Sequence, residues 1–144
     1  MPLPTGGQLW SPRQIAIAAF LGTPLAAGWL FSRNYEALSR LSDARRSLWY
    51  GLVATIGVAA IAFALPPKFP NPVLPAIYTY AIDRIASYCF GSTYAEHIAK
   101  GGAKGSWWVL TGIAFTSLLV MLALMTLMLY ALAWWRRVHV DWSI

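Results

Sequence analysis

An uncharged stretch, 107–135, limits what this chain can fold into. As a helix, its 29 residues would be about 43 Å long, more than the roughly 30 Å hydrocarbon core of a bilayer. Arg136 and Arg137 follow directly and would anchor one end at the headgroup level. The run predicts a membrane-spanning helix, assigned to 106–135, that tilts or protrudes from the bilayer.

Two shorter uncharged runs, 15–31 and 48–65, indicate two further spans. Only 11% of the residues are charged and 58% are hydrophobic, whereas soluble domains carry roughly 25% charged residues. Most tryptophans lie near a predicted helix end, where indoles prefer the headgroup level. We therefore expect an all-α membrane protein, a single helical membrane domain over 1–144 with three transmembrane helices.

The first transmembrane helix is predicted at 11–32, after an N-terminal tail at 1–10. Ser11 and Gln14 have the spacing of a capping box, with Pro12 at the first helical position. Pro24 lies inside the run, and a proline in a membrane helix is tolerated when neighbouring groups satisfy the freed carbonyl. We expect a kink just before it.

A basic connector, 33–47, separates the first helix from a second transmembrane helix at 48–65, with a turn expected near Ser42 and Asp43. The density of arginines next to the membrane favours a cytoplasmic connector and, with three crossings, an N-terminus outside. These arginines and two later lysines are the candidate contacts to anionic lipid or a partner: Arg33, Arg40, Arg45, Arg46, Lys100 and Lys104.

The segment 66–105 is bounded by prolines and glycines and contains an amphipathic helix over 73–90. Its apolar face and its polar side chains predict an interfacial or re-entrant helix, and the alternative is a fourth crossing. Asp83 and Arg84 form a candidate interfacial or intramembrane polar pair. We expect Gly91 to end this helix, a short helix to follow, and a C-terminal tail at 136–144.

Small residues recur every fourth position in the first two predicted spans. Such stripes let helix backbones approach closely in lipid, which predicts a hairpin between the two helices or, alternatively, an interface between copies of the chain. The candidate packing residues are Ala18, Gly22 and Ala26 in the first span and Gly51, Thr55 and Ala59 in the second.

Few residues in the sequence could form a catalytic site, a disulfide or a metal site. The single cysteine, Cys89, excludes an intramolecular disulfide, and the neighbours Glu96 and His97 do not make a metal-ligand set. No nucleophile, base and orienting group can be assembled, so we expect no enzymatic activity, no cofactor and no metal. The net charge of +6 is explained by lipid headgroups, and we expect no nucleic-acid binding.

Three strings, WSPRQI (10–15), FLGTPLAAG (20–28) and RNYEAL (33–38), resemble a family of small uncharacterised bacterial membrane proteins. The 69–71 turn and the 97–108 segment are similar to the same group, so the resemblance covers most of the chain. It implies a multi-pass protein of the bacterial inner membrane and carries no activity or functional residue.

We therefore expect a non-catalytic accessory or structural membrane protein that binds a partner protein or anionic lipid. The alternative is a small homo-oligomeric channel or transporter. The uncharged spans disfavour proton coupling, because intramembrane acidic residues usually mark such pathways. The expected partners are the bilayer and, beside it, another membrane protein or a second copy of the chain.

Overall fold

A computed structural model describes residues 7–66, 68, 70 and 72–140. These residues form five helices: α1 Pro12–Leu21, α2 Pro24–Ala37, α3 Leu41–Ala64, α4 Val73–Ala99 and α5 Trp107–Val140. The expected all-α class is confirmed for this part of the chain. Some positions of the predicted tails and of the proline turn (1–6, 67, 69, 71 and 141–144) lie outside the described residues.

The predicted first span, 11–32, is two helices and not one. In one straight helix Trp10 and Asn34 would stand about 36 Å apart. Instead, the Trp10 amide donates a hydrogen bond to Asn34 Oδ1 at 2.9 Å. The chain therefore reverses between α1 and α2, and the two form a helical hairpin. This corrects the prediction of a single transmembrane helix over 11–32.

The reversal occurs at Gly22 and Thr23, where a kink was expected. Pro24 has no N–H and its ring clashes with the preceding turn, so α1 cannot continue through it, but Pro24 is well suited to begin α2. A Cβ on Gly22 would lie 2.5 Å from Ser117 Oγ and 2.7 Å from the Ala114 carbonyl oxygen. Because Gly22 has no side chain, the tip of the hairpin can lie in direct contact with α5. This contact stabilises a full reversal of the chain rather than a kink within one helix.

Helix α3 packs antiparallel against α2. The turn between them lies at 38–40, with Ser39 at φ 58°, a few residues before the position expected at Ser42 and Asp43. Asp43 is instead in the first turn of α3, where it pairs with Arg40 at 2.6 Å and complements the positive end of the helix dipole. The predicted connector, 33–47, is therefore mostly helical.

Helix α4 is continuous through Gly91, which corrects the expected break and the separate short helix after it. A glycine inside a helix costs about 1 kcal/mol relative to alanine, which does not end a long helix by itself. The chain leaves α4 at Gly101 instead, where φ is 78° and favours glycine. With 27 residues, α4 is about 40 Å long.

Three connections meet at one end of the bundle. They are the segment 7–11 before α1, the turn 38–40 between α2 and α3, and the loop 100–106 between α4 and α5. We call this end the basic end. The end of α3, the start of α4 and the last turns of α5 form the far end. Helices α3 and α5 both run from the basic end to the far end, and α4, which lies between them in the chain, runs back toward the basic end.

Two helices are long and apolar enough to cross a membrane: α3 over Leu41–Ala64 and α5 over Trp107–Val138. The predicted span at 48–65 lies largely within α3 and the predicted span at 106–135 within α5. α4 does not meet this test within the described residues.

The core is narrow and lies around the α1–α2 hairpin. Small side chains of α1 and α2, including Ala18 and Ala26, are fully buried together with Ala86 of α4 and Leu110 of α5. Three rings close the core toward the basic end: Phe90 of α4 lies 5.2 Å from Phe31 and 4.9 Å from Tyr35 between ring centroids. Much of the apolar surface of α3, α4 and α5 lies outside this core.

Candidate functional site

A buried polar cluster joins the three connections at the basic end. The Trp10 amide donates to Asn34 Oδ1 at 2.9 Å, and Asn34 Nδ2 donates back to the Trp10 carbonyl oxygen at 2.9 Å. The Asn34 side chain thus pairs with both the N–H and the C=O of Trp10. A neighbouring β-strand would make the same two hydrogen bonds. This pair fixes the start of α1 beside the end of α2.

The loop before α5 is attached to the same cluster. Gln14 completes the expected capping box with Ser11, and its Nε2 also donates to the Gly105 carbonyl oxygen at 2.9 Å. The amide of Leu9 donates to the Ala103 carbonyl oxygen at 3.2 Å, and the Gly105 amide donates to the Leu9 carbonyl oxygen at 2.8 Å. These bonds hold the start of α5 parallel to α1.

Two glycines allow this loop to pack directly against the rings of Trp10 and His97. A Cβ on Gly105 would overlap the Trp10 ring, and one on Gly102 would overlap the His97 ring. His97 is buried near the end of α4, and its Nε2 lies 3.2 Å from the Ala103 carbonyl oxygen. His97 therefore helps to position the loop between α4 and α5.

All six candidate lipid or partner contacts lie at the basic end, although Lys100 and Lys104 were expected on the opposite side from the arginines. Counting Arg13, this end holds seven of the eleven lysines and arginines. The far end holds Lys68, Arg136 and Arg137, and Arg84 lies midway along α4. The reversal of the α1–α2 hairpin produces this clustering, because it returns the chain to the end at which it entered.

Three of the seven cations pair with acidic neighbours on their own helix or turn. The pairs are Arg33 with Glu36 at 3.4 Å, Arg40 with Asp43 at 2.6 Å, and Lys100 with Glu96 at 2.5 Å. The other four form no ion pair with any described residue, and all are exposed: Arg13, Arg45, Arg46 and Lys104. The basic end therefore presents unneutralised positive charge.

A groove of about 470 Å³ opens between α3 and α4, which hardly touch each other, and has α2 as its floor. We call it the lateral groove. Most of its wall is apolar or small, and it includes Pro24, Gly28, Phe31, Gly51, Ala54, Ile82, Ile85 and Cys89. Its charged side chains, Asp43 and Arg46, lie with Tyr35 toward the basic end, and Ser47 and Tyr50 lie farther along, near the level of Gly28.

Tyr35, near the end of α2, lines the groove where it meets the basic end. Burial, reinforced by a hydrogen bond with Cys89, raises the pKa of Tyr35 to about 12. The hydroxyl therefore stays protonated at physiological pH. The Arg40 guanidinium carbon lies 5.1 Å from the centre of the Tyr35 ring, which fixes one side of this opening.

The predicted small-residue stripes are divided among three interfaces. Gly51 and Thr55 are buried in α3 against α2, and the residue opposite Gly51 is Gly28. Thr55 Oγ1 accepts a hydrogen bond from the Leu25 amide at 2.9 Å at the start of α2.

The other members of the stripes lie elsewhere. Ala18 belongs to the cluster shared with α4, Gly22 contacts α5, and Ala26 is fully buried in α2. Ala59 is half-buried and lines an apolar cleft between α3 and α5. The reversal at Gly22 divides the first stripe between two helices, so it cannot form one face.

Asp83 and Arg84 do not form an ion pair with each other or with another described residue. Asp83 is half-buried and Arg84 is exposed, midway along α4. The described residues also contain no group of three or more histidine, cysteine or acidic side chains that could hold a metal ion.

Sequence reasoning missed Asn34, Gly28 and the loop glycines Gly102 and Gly105. Gly28 had a signal, since Pro24, Gly28 and Ser32 are spaced by four residues. The partner of Asn34 lies on another helix and follows from no local pattern. Comparison of the chain with protein-family models, with curated proteins and with solved structures gives no match.

Proposed function

We propose that this chain is a non-catalytic integral membrane protein of the bacterial inner membrane, whose basic end binds anionic lipid or a partner protein. The exposed apolar surface of its long helices supports a membrane setting. In α3 and in α5, only 17% of the 18-residue apolar window is buried inside the protein, whereas a core helix of a soluble protein would bury most of its apolar surface. Lipid is the solvent that suits such helices.

The chain direction supports three crossings, made by α3, α4 and α5. If α3 and α5 both cross from the basic end to the far end, the chain must cross back between them. α4 is the described helix in that interval, and its length of about 40 Å is sufficient. Its most exposed apolar side chains include Ile77, Ile85 and Tyr88, which suits contact with lipid.

The α1–α2 hairpin fits a re-entrant element. α1 has 10 residues and is about 15 Å long, half of a hydrocarbon core of roughly 30 Å. Its tip at Gly22 is covered by α5, so irregular backbone at membrane depth is buried in protein, as the absence of water requires. The re-entrant element is thus assigned to 12–37 in place of 73–90.

The single observation that carries the proposal is the clustering of seven cations at one end against three at the other. Loops rich in lysine and arginine stay on the cytoplasmic side, where anionic headgroups also attract them. The basic end, with the connector, therefore faces the cytoplasm. The start of α1 lies on the same side, opposite to the N-terminal orientation expected from three independent spans.

Cysteine accessibility tests this arrangement in a Cys89→Ala background. Lys68→Cys at the far end should react with a membrane-impermeant maleimide in intact cells. Ser42→Cys and Lys104→Cys at the basic end should react only after permeabilisation. Labelling of both Lys104→Cys and Lys68→Cys in intact cells would show that α4 does not cross, and labelling of Ser42→Cys would show that the orientation is reversed.

The mass of the protein in mild detergent tests the function class. A monomer or a stoichiometric complex with a different protein is expected for an accessory protein. A closed symmetric oligomer that conducts ions in reconstituted vesicles would instead support a channel and overturn the proposal.

A further inference from the structure

We propose that the lateral groove binds one acyl chain of an anionic phospholipid from the cytoplasmic leaflet, with the lipid phosphate at Arg46. This inference rests on the membrane setting of the proposed function and names the ligand of the basic end. It follows from the dimensions of the groove, from the position of its polar residues and from the free charge at its opening.

The dimensions fit one leaflet. The floor of the groove runs along α2 from Tyr35 to Pro24, a rise of about 16 Å in a helix. Half of a hydrocarbon core of roughly 30 Å is about 15 Å. The groove thus extends from headgroup level to the bilayer centre, the path of one acyl chain. Its volume of about 470 Å³ lies within the roughly 300–1,000 Å³ range of small-molecule sites.

The polarity of the groove follows the same axis. Toward the far end its wall consists of apolar and small side chains such as Ala54, Ile82 and Ile85. Toward the basic end it carries Tyr35, Arg46 and Asp43, which pairs with Arg40 outside the lining. A phospholipid has this order of chemistry, with a charged phosphate at headgroup level and hydrocarbon below it.

Arg46 is the charge available to a phosphate. Asp43 also lies at the opening, but its carboxylate is held by Arg40 at 2.6 Å. Arg46 is exposed and forms no ion pair with any described residue. Guanidinium groups bind phosphate with charge-assisted hydrogen bonds that can be bidentate. The cleft between α3 and α5 has no charged side chain in its lining, so it offers no comparable headgroup site.

Binding is measured on the full chain in detergent by native mass spectrometry. The probes are phosphatidylglycerol and phosphatidylcholine with identical acyl chains, and glycerol phosphate as the headgroup without chains. The wild-type protein should retain one phosphatidylglycerol, less phosphatidylcholine and no glycerol phosphate. Equal retention of the two lipids, or no retained lipid, would overturn the proposal.

Three substitutions at exposed positions of α3 locate the site. Arg46→Gln should lower the apparent affinity for phosphatidylglycerol roughly tenfold, because it removes one charge-assisted hydrogen bond to the phosphate. Ala54→Phe should fill the groove and reduce retention of both lipids. Arg45→Gln is the matched control, because Arg45 lies outside the lining of the groove. If Arg45→Gln lowers the affinity for phosphatidylglycerol as much as Arg46→Gln does, the effect comes from surface charge in general. That result would refute the site.

Photo-crosslinking tests the same site in the wild-type protein, so it does not depend on whether the variants fold. Phosphatidylglycerol with a diazirine in one acyl chain should label wild-type α4 at Ile82 or Ile85, or α3 at Ala54. Labelling confined to other surfaces, or occupation of the groove by a helix of another protein, would refute the lipid site. The lipid result is separate from topology: an outward basic end with Arg46-dependent binding would contradict the orientation and the choice of leaflet, but not the lipid site.

Discussion

Trp10 and Asn34 are joined by two reciprocal hydrogen bonds of 2.9 Å, although 24 residues separate them in the chain. The asparagine amide pairs with both backbone groups of Trp10, so the start of α1 and the end of α2 are held side by side. The reversal at Gly22 and Thr23 brings the chain back to this point. The resulting hairpin places the starts of α3 and α5 at the same end of the bundle.

The first prediction concerns this pair. Asn34→Ala should lower the free energy of unfolding by roughly 2–4 kcal/mol, because it leaves the buried N–H and C=O of Trp10 without partners. The measurement is unfolding of the purified protein by SDS titration in mixed micelles. Arg33→Gln, at the exposed neighbouring position, is the control and should stay within about 0.5 kcal/mol of wild type. Equal stability of the two variants would contradict the structural role of Asn34.

The second prediction concerns the contact between α2 and α3. A Cβ on Gly51 would lie 2.9 Å from Gly28 Cα and 3.2 Å from the Pro24 carbonyl oxygen, so Gly51→Ala must separate the two helices. We expect a loss of about 1–3 kcal/mol of stability from overpacking. Gly57→Ala is the same substitution in the same helix, and its Cβ would meet nothing within 4 Å. Gly57→Ala should not destabilise the protein; a loss equal to that of Gly51→Ala would count against the packing.

The third prediction concerns the start of α2. Thr55→Val keeps the shape of the side chain but removes the acceptor of the Leu25 amide. A buried donor without a partner costs about 1–3 kcal/mol, which the same unfolding measurement should show. Thr116→Val is the matched control, because Thr116 is exposed and its hydroxyl donates only to Gly112 in its own helix. If both variants lose the same stability, the hydrogen bond between α3 and α2 contributes nothing specific.

Local signals in the sequence predicted the beginnings of several elements correctly. The capping box of Ser11 and Gln14 starts α1, and α5 begins at Trp107, within one residue of the predicted start of the last span. The glycines after Lys100 follow the end of α4. These features depend on residues within a few positions of one another, so composition and spacing are sufficient to find them.

Elsewhere a local signal showed where the chain could change direction, but not which conformation it adopts there. Pro24 shows that the helix is interrupted, yet a kink and a reversal are both compatible with a proline. The contact of Gly22 with α5 and the bonds between Trp10 and Asn34 favour the reversal. Gly91 shows the opposite case, since a glycine that could have ended α4 lies within one continuous helix.

The sequence by itself determined the helical class, the long apolar runs and the number of cations. Only the tertiary structure decided that seven of the eleven lysines and arginines lie at one end and that a groove opens between α3 and α4. The physical reason is that apolar periodicity and capping act over a few residues. The direction of each helix depends instead on hydrogen bonds and close contacts between residues far apart in the chain, such as Trp10 with Asn34 and Gln14 with Gly105.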